Sequence, residues 1–103
     1  MIGRMRLTPW ERSTIRDTVR TVVGAGARVR LFGSRTDDSA RGGDIDLLVE
    51  LDHAVERPVL VSARIGAGLQ RALGDRRIDV ELLAPNVSEQ AIHRLARANG
   101  VDV

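Results

Sequence analysis

Several residue types are missing from this chain. It contains no cysteine, so disulfide bonds and thiolate metal sites are excluded from it. Every basic residue is arginine, and without lysine or cysteine neither Schiff-base nor thiolate catalysis is available. Tyrosine is absent, and Trp10 and Phe32 are the only aromatic residues. We therefore expect no aromatic platform for single-stranded nucleic acid.

Long hydrophobic runs are absent as well. No segment approaches the roughly 18 apolar residues of a membrane span, and no apolar region follows the first residues as in a secretory signal. We expect a cytoplasmic protein that does not bind a membrane. Its 103 residues, 43% of them hydrophobic, predict a single domain over residues 1–103. A large substrate would then need help from a partner chain, in a homo- or hetero-oligomer.

The charge balance argues against a nucleic-acid surface. A pI of about 10.8 suggests a basic protein, yet the formal net charge is only +2. The high pI arises because arginine titrates so late. The arginines are scattered along the chain, which indicates solvated helix faces and dispersed ion pairs.

The order of predicted elements is α-β-β-α-β-α. Thr8, Pro9 and Glu11 form a capping-box signature that begins a helix ending at Gly24. Strands are predicted over 28–32, 44–51 and 76–83, and a second helix over 59–73. A last helix, capped by Ser88 or Asn86, runs to about residue 99, and 101–103 could add an edge strand. We predict an α+β fold, a small mixed sheet with helices packed on it.

The connections predict how the strands pair. The loop over 33–43 is short for a parallel crossover, which favours an antiparallel pair, whereas the helical connection to the third strand suits a parallel one. Ser34, Asp44, Asp46 and Asp79 would then meet at one edge of the sheet. The second strand is strongly apolar, so we expect it to be buried on both faces.

Three aspartates are the candidate metal ligands. Asp44 and Asp46 are two residues apart in a strand and share a face, and Asp79 lies near the start of the third strand. Such a cluster needs a cation or must take up protons. Carboxylates suit Mg²⁺, and two ions could clamp the oxygens of a phosphoryl transfer.

The loop after the first strand supplies candidate phosphate contacts. Gly33 lacks a Cβ, so a phosphate could approach its backbone closely, and the amides of Gly33 and Ser34 could donate to it. Arg35 and Arg41 could add charge-assisted contacts. An ion pair of Arg35 with a nearby loop aspartate is equally natural.

The glycine–serine loop and the Asp-x-Asp pair together identify a family more specifically than either motif does alone. The segment Phe32-Gly33-Ser34, followed after nine residues by Asp44-Ile45-Asp46-Leu47, resembles the signature of the DNA polymerase β-like nucleotidyltransferases. The resemblance covers residues 7–83. The chain is similar in length to members of the minimal nucleotidyltransferase (MNT) branch. One departure is Gly43, where serine often precedes the first acid.

This resemblance implies a polymerase β palm-like fold and an activity. Asp44 and Asp46 would hold two Mg²⁺ ions together with Asp79, which would also activate the attacking hydroxyl. Gly33 and Ser34 would bind the β- and γ-phosphates of ATP or another nucleoside triphosphate, and Arg35 is the candidate that could join them. Many minimal members are similar to antitoxins encoded beside a helical HEPN protein, and some transfer AMP from ATP to a tyrosine of that partner. Such a protein adenylyltransferase is the expected enzyme.

Two alternatives remain beside this expectation. The chain could be a binding module, an antitoxin with a weak or vestigial site that neutralises its partner by contact. A haloacid dehalogenase-type phosphatase also uses Asp-x-Asp, but it needs Thr or Val where this chain has Leu48.

The remaining polar and apolar candidates receive structural interpretations. Glu81 shares a strand face with Asp79 and could be an auxiliary site residue or a structural one. We expect surface or packing roles for His53 and His93. We expect Trp10 to pack the first helix onto the domain, and the pair Ile92 and Leu95 to join the core.

Overall fold

A computed structural model describes residues 7–33, 45–74 and 76–103, and residues 34–44 lie outside the described part. The elements in chain order are α1 (Pro9–Val23), β1 (Arg28–Phe32), β2 (Ile45–Glu50), α2 (Pro58–Leu73), β3 (Ile78–Leu83), α3 (Ala91–Asn99) and β4 (Val101–Asp102). The predicted α+β order is confirmed, including the short last strand. The third strand begins two residues later than predicted, and the second helix begins one residue earlier. None of the helices in the described ranges is long and apolar enough to cross a membrane.

The four strands form one mixed sheet in the order β3-β2-β1-β4. β1 pairs antiparallel with β2, in a register that sets Phe32 opposite Asp46. β2 pairs parallel with β3, and Asp46 lies opposite Asp79. β4 joins the other side of β1 antiparallel. Both predicted pairings of the first three strands are confirmed.

The sheet has a large and a small hydrophobic face. On the large face, side chains of α1 and α2 pack against alternate residues of the strands, among them Leu31, Leu47 and Val49. On the small face, Phe32 and Leu48 pack against Ala96 of α3. Because Leu47, Leu48 and Val49 are all fully buried, the prediction that β2 is covered on both faces is confirmed.

The first helix packs onto the domain through a stripe formed by Glu11, Ile15 and Val19. The prediction that Trp10 packs this helix onto the domain was wrong. Glu11, Ile15 and Val19 are spaced by four residues and are all buried, whereas the Trp10 side chain is 62% exposed. Consecutive helical residues are about 100° apart, so Trp10 cannot share the buried stripe.

Glu11 joins the start of α1 to the segment that leads into β3. The Thr8 backbone N–H donates to its carboxylate at 2.8 Å, and its own N–H donates to the Thr8 hydroxyl at 3.0 Å. Arg76 lies 2.5 Å from the same carboxylate. Burial alone would raise the pKa of Glu11, but the Thr8 backbone N–H and the Arg76 guanidinium together outweigh burial and hold the pKa below its ordinary value of 4.5.

The last helix begins later than predicted, because Asn86 has a different role. Its N-cap is Gln90, whose N–H donates to Nδ1 of His93 at 2.9 Å. The Asn86 side chain instead accepts from Val55 N at 3.1 Å and donates to Val55 O at 2.6 Å. It thus ties the connection before α2 to the turn after β3, and Ser88 does not cap the helix either.

The buried side of α3 is also different from the prediction. His93 and Ala96, three residues apart, are buried, while Ile92 and Leu95 are 36% and 54% exposed. The assignment of Ile92 and Leu95 to the core was therefore wrong. The small face of the sheet offers few apolar side chains, and a short Ala96 lets the helix approach it closely.

Replacement of Glu11 by Gln tests the charge in this anchor, because glutamine keeps the shape of the capping box. We expect the free energy of unfolding to fall by about 1–2 kcal/mol at neutral pH, since Arg76 loses a charged partner. The Glu11 pKa is lowered in the folded state, so its contribution is complete above 4.5 and is lost as the pH falls through the folded pKa. Urea unfolding at several pH values measures this.

The exposed residue Asp17 on the same helix provides the control. Asp17→Asn should leave the free energy of unfolding within about 0.5 kcal/mol of the parent protein. An E11Q deficit that stays constant from neutral to acid pH would show that the carboxylate charge does not stabilise this fold.

Candidate active site

Three of the predicted site residues lie in the described part of the chain. Gly33 directly follows β1, Asp46 is in β2 and Asp79 is in β3. Asp44, Ser34 and Arg35, together with Arg41, fall within residues 34–44 and lie outside the described residues. The geometry of the site is therefore built from Gly33, Asp46 and Asp79.

Asp46 and Asp79 lie side by side on neighbouring strands. They are register partners in the parallel β2–β3 pair, and neighbouring strands are about 4.8 Å apart. Residues opposite each other in a sheet project from the same face. Asp46 is half-buried, and the Asp79 side chain is 49% exposed. Like charges on adjacent strands repel each other, by roughly 4 kcal/mol if they approach to about 4 Å at an effective dielectric of 20, and a cation bound between them would offset this repulsion.

The turn at Gly33 lies directly against the Asp46 carboxylate. Gly33 has a φ of +78°, and a Cβ added to it would come within 2.5 Å of Asp46 Oδ2. A side chain at this position would therefore be strained by the backbone and would displace the carboxylate. The sequence pointed to phosphate approach as the reason for glycine, and the structure adds close contact with Asp46.

Arg77 is a site neighbour that the sequence reasoning missed. Its Nε lies 3.4 Å from Asp79 Oδ2, and its side chain is 74% exposed. Positions two apart in an extended segment share a face, so the Arg-x-Asp spacing at the start of the strand was the available signal. The guanidinium lowers the repulsion between the two aspartates but also competes with any metal ion for Asp79.

The carboxylate pair fits part of a magnesium site. Mg²⁺ is usually held by one or two carboxylates together with phosphate oxygens and water. Within the described ranges, no group of three or more His, Cys, Asp or Glu residues could hold a metal ion, and the third predicted acid, Asp44, lies outside them. Asp46 and Asp79 could supply the protein oxygens of one ion.

The other polar candidates lie away from this pair. His53 is exposed and its Nδ1 is 2.9 Å from Asp52 Oδ1, and this hydrogen bond lowers the pKa of Asp52. His93 is one of the buried residues of α3. These positions match the surface and packing roles that were expected. Glu81 is half-buried on the same face as Asp79, two residues further along β3.

The mixed sheet, the turn at Gly33 and the adjacent aspartates define a small α+β domain of the nucleotidyltransferase type. The family model described as "Nucleotidyltransferase domain" matches residues 12–95. The chain belongs to this family.

A solved structure similar to this chain is titled "Crystal structure the toxin-antitoxin MntA-HepT". The TM-score is 0.64 at 18% sequence identity, and the match covers 92% of this chain and 70% of that one. At this level of identity the likeness establishes the shared fold. No curated protein sequence matches the chain.

Replacement of Gly33 by Ala should weaken metal binding. The new Cβ would displace the Asp46 carboxylate, and we expect the dissociation constant for Mn²⁺, used as a probe for Mg²⁺, to rise by about tenfold or more. Stability should also fall, by about 1–2 kcal/mol, because alanine is strained at a positive φ. Calorimetric titration with Mn²⁺ and urea unfolding measure the two effects.

Gly24 is the matched control for the backbone effect. Its φ of +82° is nearly the same, and an added Cβ would meet nothing within 4 Å. Gly24→Ala should therefore lose stability without losing Mn²⁺ affinity. Equal Mn²⁺ affinity in the two variants would contradict the proposed contact between residue 33 and the metal-binding carboxylate.

Replacement of Arg77 by Gln should have the opposite effect on the metal. Without the competing guanidinium, we expect Mn²⁺ to bind about two- to fivefold more tightly, the scale of an exposed ion pair. The gain should shrink at high salt, where the pair is screened. Arg20→Gln, on α1, is the control for net charge. A weaker metal affinity in R77Q would mean that Arg77 supports the site instead of competing for it.

Proposed function

We propose that this chain is a Mg²⁺-dependent nucleotidyltransferase that transfers AMP from ATP to a tyrosine hydroxyl of a helical HEPN partner, and that it acts by this transfer as an antitoxin. The observation that carries the proposal is the in-register pair Asp46 and Asp79 beside the turn at Gly33. Membership of the nucleotidyltransferase family supports the reaction class.

The proposed roles of the individual residues are those that the resemblance to the nucleotidyltransferases implies. Asp44 and Asp46 hold the metal ions, and Asp79 completes the site and accepts the proton of the attacking hydroxyl. Gly33, Ser34 and Arg35 bind the triphosphate. Bound Mg²⁺ would supply positive charge that offsets the charge on the phosphates. Arg77 keeps Asp79 paired while the metal is absent.

The proposed reaction moves the AMP group of ATP to the hydroxyl oxygen of the acceptor. The acceptor oxygen forms a bond to the α-phosphorus of ATP, and the bond from that phosphorus to the β-phosphate bridging oxygen breaks. Pyrophosphate leaves with the bonding electron pair, and the hydroxyl proton passes to the Asp79 carboxylate.

The acceptor must come from another protein if it is a tyrosine. This sequence contains no tyrosine, so the chain cannot modify itself on that residue type. The similar structure is titled as a toxin–antitoxin pair, which supports a partner of the toxin kind. The cytoplasmic location of such a pair stays a prediction.

A second candidate function is a binding module that neutralises its partner by contact alone. Such a module would use apolar side chains at the surface, and Trp10 is 62%, Leu95 is 54% and Val59 is 84% exposed. The two functions differ in whether neutralisation needs the aspartates.

Labelling of the partner separates these candidates. The purified chain would be mixed with the protein encoded next to it, Mg²⁺ and ATP labelled on the α-phosphate. We expect the parent protein to label the partner. The labelling rate should fall by at least about a hundredfold for Asp46→Asn or Asp79→Asn, because each change removes an electrostatic contact in the transition state. Both variants should fold, with stability equal or higher, because repulsion between the carboxylates is relieved.

Asp17→Asn, on the exposed side of α1, should label the partner at the parent rate. Neutralisation of the partner that survives in the unlabelled D46N mixture would support the binding module. Full labelling by D46N would contradict the assignment of Asp46 to the metal.

A further inference from the structure

Within the described part of the chain, β3 has an open edge, a side to which no other strand is paired. It is the outer strand of the sheet in the order β3-β2-β1-β4. Ile45 N donates to Arg77 O and Leu51 N donates to Leu83 O, so the odd-numbered residues of this segment face β2. Since backbone groups alternate along a strand, those of Ile78, Val80 and Leu82 face outwards. On this outer side, the Val80 carbonyl accepts a hydrogen bond from the Ser62 hydroxyl at 3.0 Å.

A groove runs along this open edge, and we call it the β3-edge groove. It has a volume of about 290 Å³, at the small end of the range for enclosed ligand sites. Its apolar walls come from the start of α2 and the start of α3, including Val59 and Ile92. Val59 is 84% exposed and Ile92 is 36% exposed, so both side chains are available to a binding partner.

Glu81 gives the groove a negative charge. It lines the groove and is half-buried. Within the described residues, neither an ion pair nor a hydrogen bond is formed by its carboxylate. No other acidic or basic residue lines the groove apart from His93, which is buried and accepts from Gln90. A cationic side chain is therefore the complementary group.

We propose that the β3-edge groove binds an extended segment of a partner protein as an added strand, with an Arg or Lys side chain of that segment placed against Glu81. The outward-facing N–H and C=O groups of Val80 and Leu82 recognise a peptide backbone, as in strand addition to a sheet edge. The carbonyl of Val80 has a second lone pair, so the contact with Ser62 does not block it.

The position of the groove connects it to the candidate active site. Asp79 lies on the same strand, one residue before Val80, and a strand rises about 3.3 Å per residue. A segment paired with β3 would therefore pass within a few residues of the aspartate pair. Its role as the docking site for the acceptor rests on the proposed function, whereas the peptide binding itself does not.

Two short peptides test the groove directly. One is acetyl-Thr-Val-Arg-Val-Thr-amide, and the other has Glu in place of Arg. We expect the Arg peptide to shift the backbone amide resonances of residues 78–82 and to bind about fivefold or more tightly than the Glu peptide. Glu81→Arg should reverse this preference, and the neutral Glu81→Gln should abolish it. An N-methylated Arg peptide should not bind, because it cannot pair with the strand edge.

The control variant is Glu56→Arg, which reverses the charge of an exposed acid outside the groove and should keep the parent preference for the Arg peptide.

Absence of shifts at β3 with either peptide at millimolar concentration would overturn the proposal. The proposal would also be overturned if the parent protein, E81R and E81Q all preferred the Arg peptide over the Glu peptide to the same degree. If the peptide binds but D46N still labels the partner, the proposed function is contradicted and the peptide-binding role of the groove stands. If the parent protein labels the partner but neither peptide binds, the proposed function stands and the groove proposal is contradicted.

Discussion

The parallel register of β2 with β3 is the constraint on which the site depends. It places Asp46 opposite Asp79, two carboxylates that would repel each other in isolation. The register is held because Leu47, Leu48 and Val49 are buried on both faces of the sheet. A slip by one residue would turn every one of these side chains to the other face. The apolar centre of β2 thus provides the energy that keeps an unfavourable pair of charges together.

Two consecutive arginines connect this pair to the rest of the fold. Arg76 contacts Glu11 at the start of α1, and Arg77 contacts Asp79 in the site. Consecutive residues of an extended chain point to opposite sides, so one short segment can anchor a helix and also face the site. The anchor fixes where β3 begins, and it therefore fixes where Asp79 lies relative to β2. The charge of Arg77 offsets part of the repulsion in the absence of a metal ion.

The sequence predicts the architecture well, because the signals involved are local or periodic. The capping box at Thr8, the strand 28–32 and the glycine at residue 24 depend on neighbouring residues alone. The pairing directions follow from the lengths of the connections. The errors arise where distant contacts decide the outcome: Asn86 bonds to Val55 instead of capping a helix, and Trp10 lies beside the buried stripe rather than in it.

The candidate site is predicted only in part from the sequence, for the same reason. The Asp-x-Asp spacing and Asp79 in the next strand identify two carboxylates that the sheet brings together. The contact of Gly33 with Asp46 depends on the register of β1 with β2 and on the positive φ of Gly33, and spacing cannot show it. The exposure of Ile92 and Leu95 depends on which side of α3 meets the sheet, and the hydrophobic pattern of a nine-residue helix does not decide this.

The central claim is that one divalent ion binds to Asp46 and Asp79 together. Crystals grown with Mn²⁺ and a non-hydrolysable ATP analogue would locate the ion by its anomalous scattering. The account predicts a peak within about 2.2 Å of one oxygen from each aspartate, the usual distance for such carboxylate ligands. A Mn²⁺ ion bound to the nucleotide phosphates with neither carboxylate in its coordination shell would contradict it.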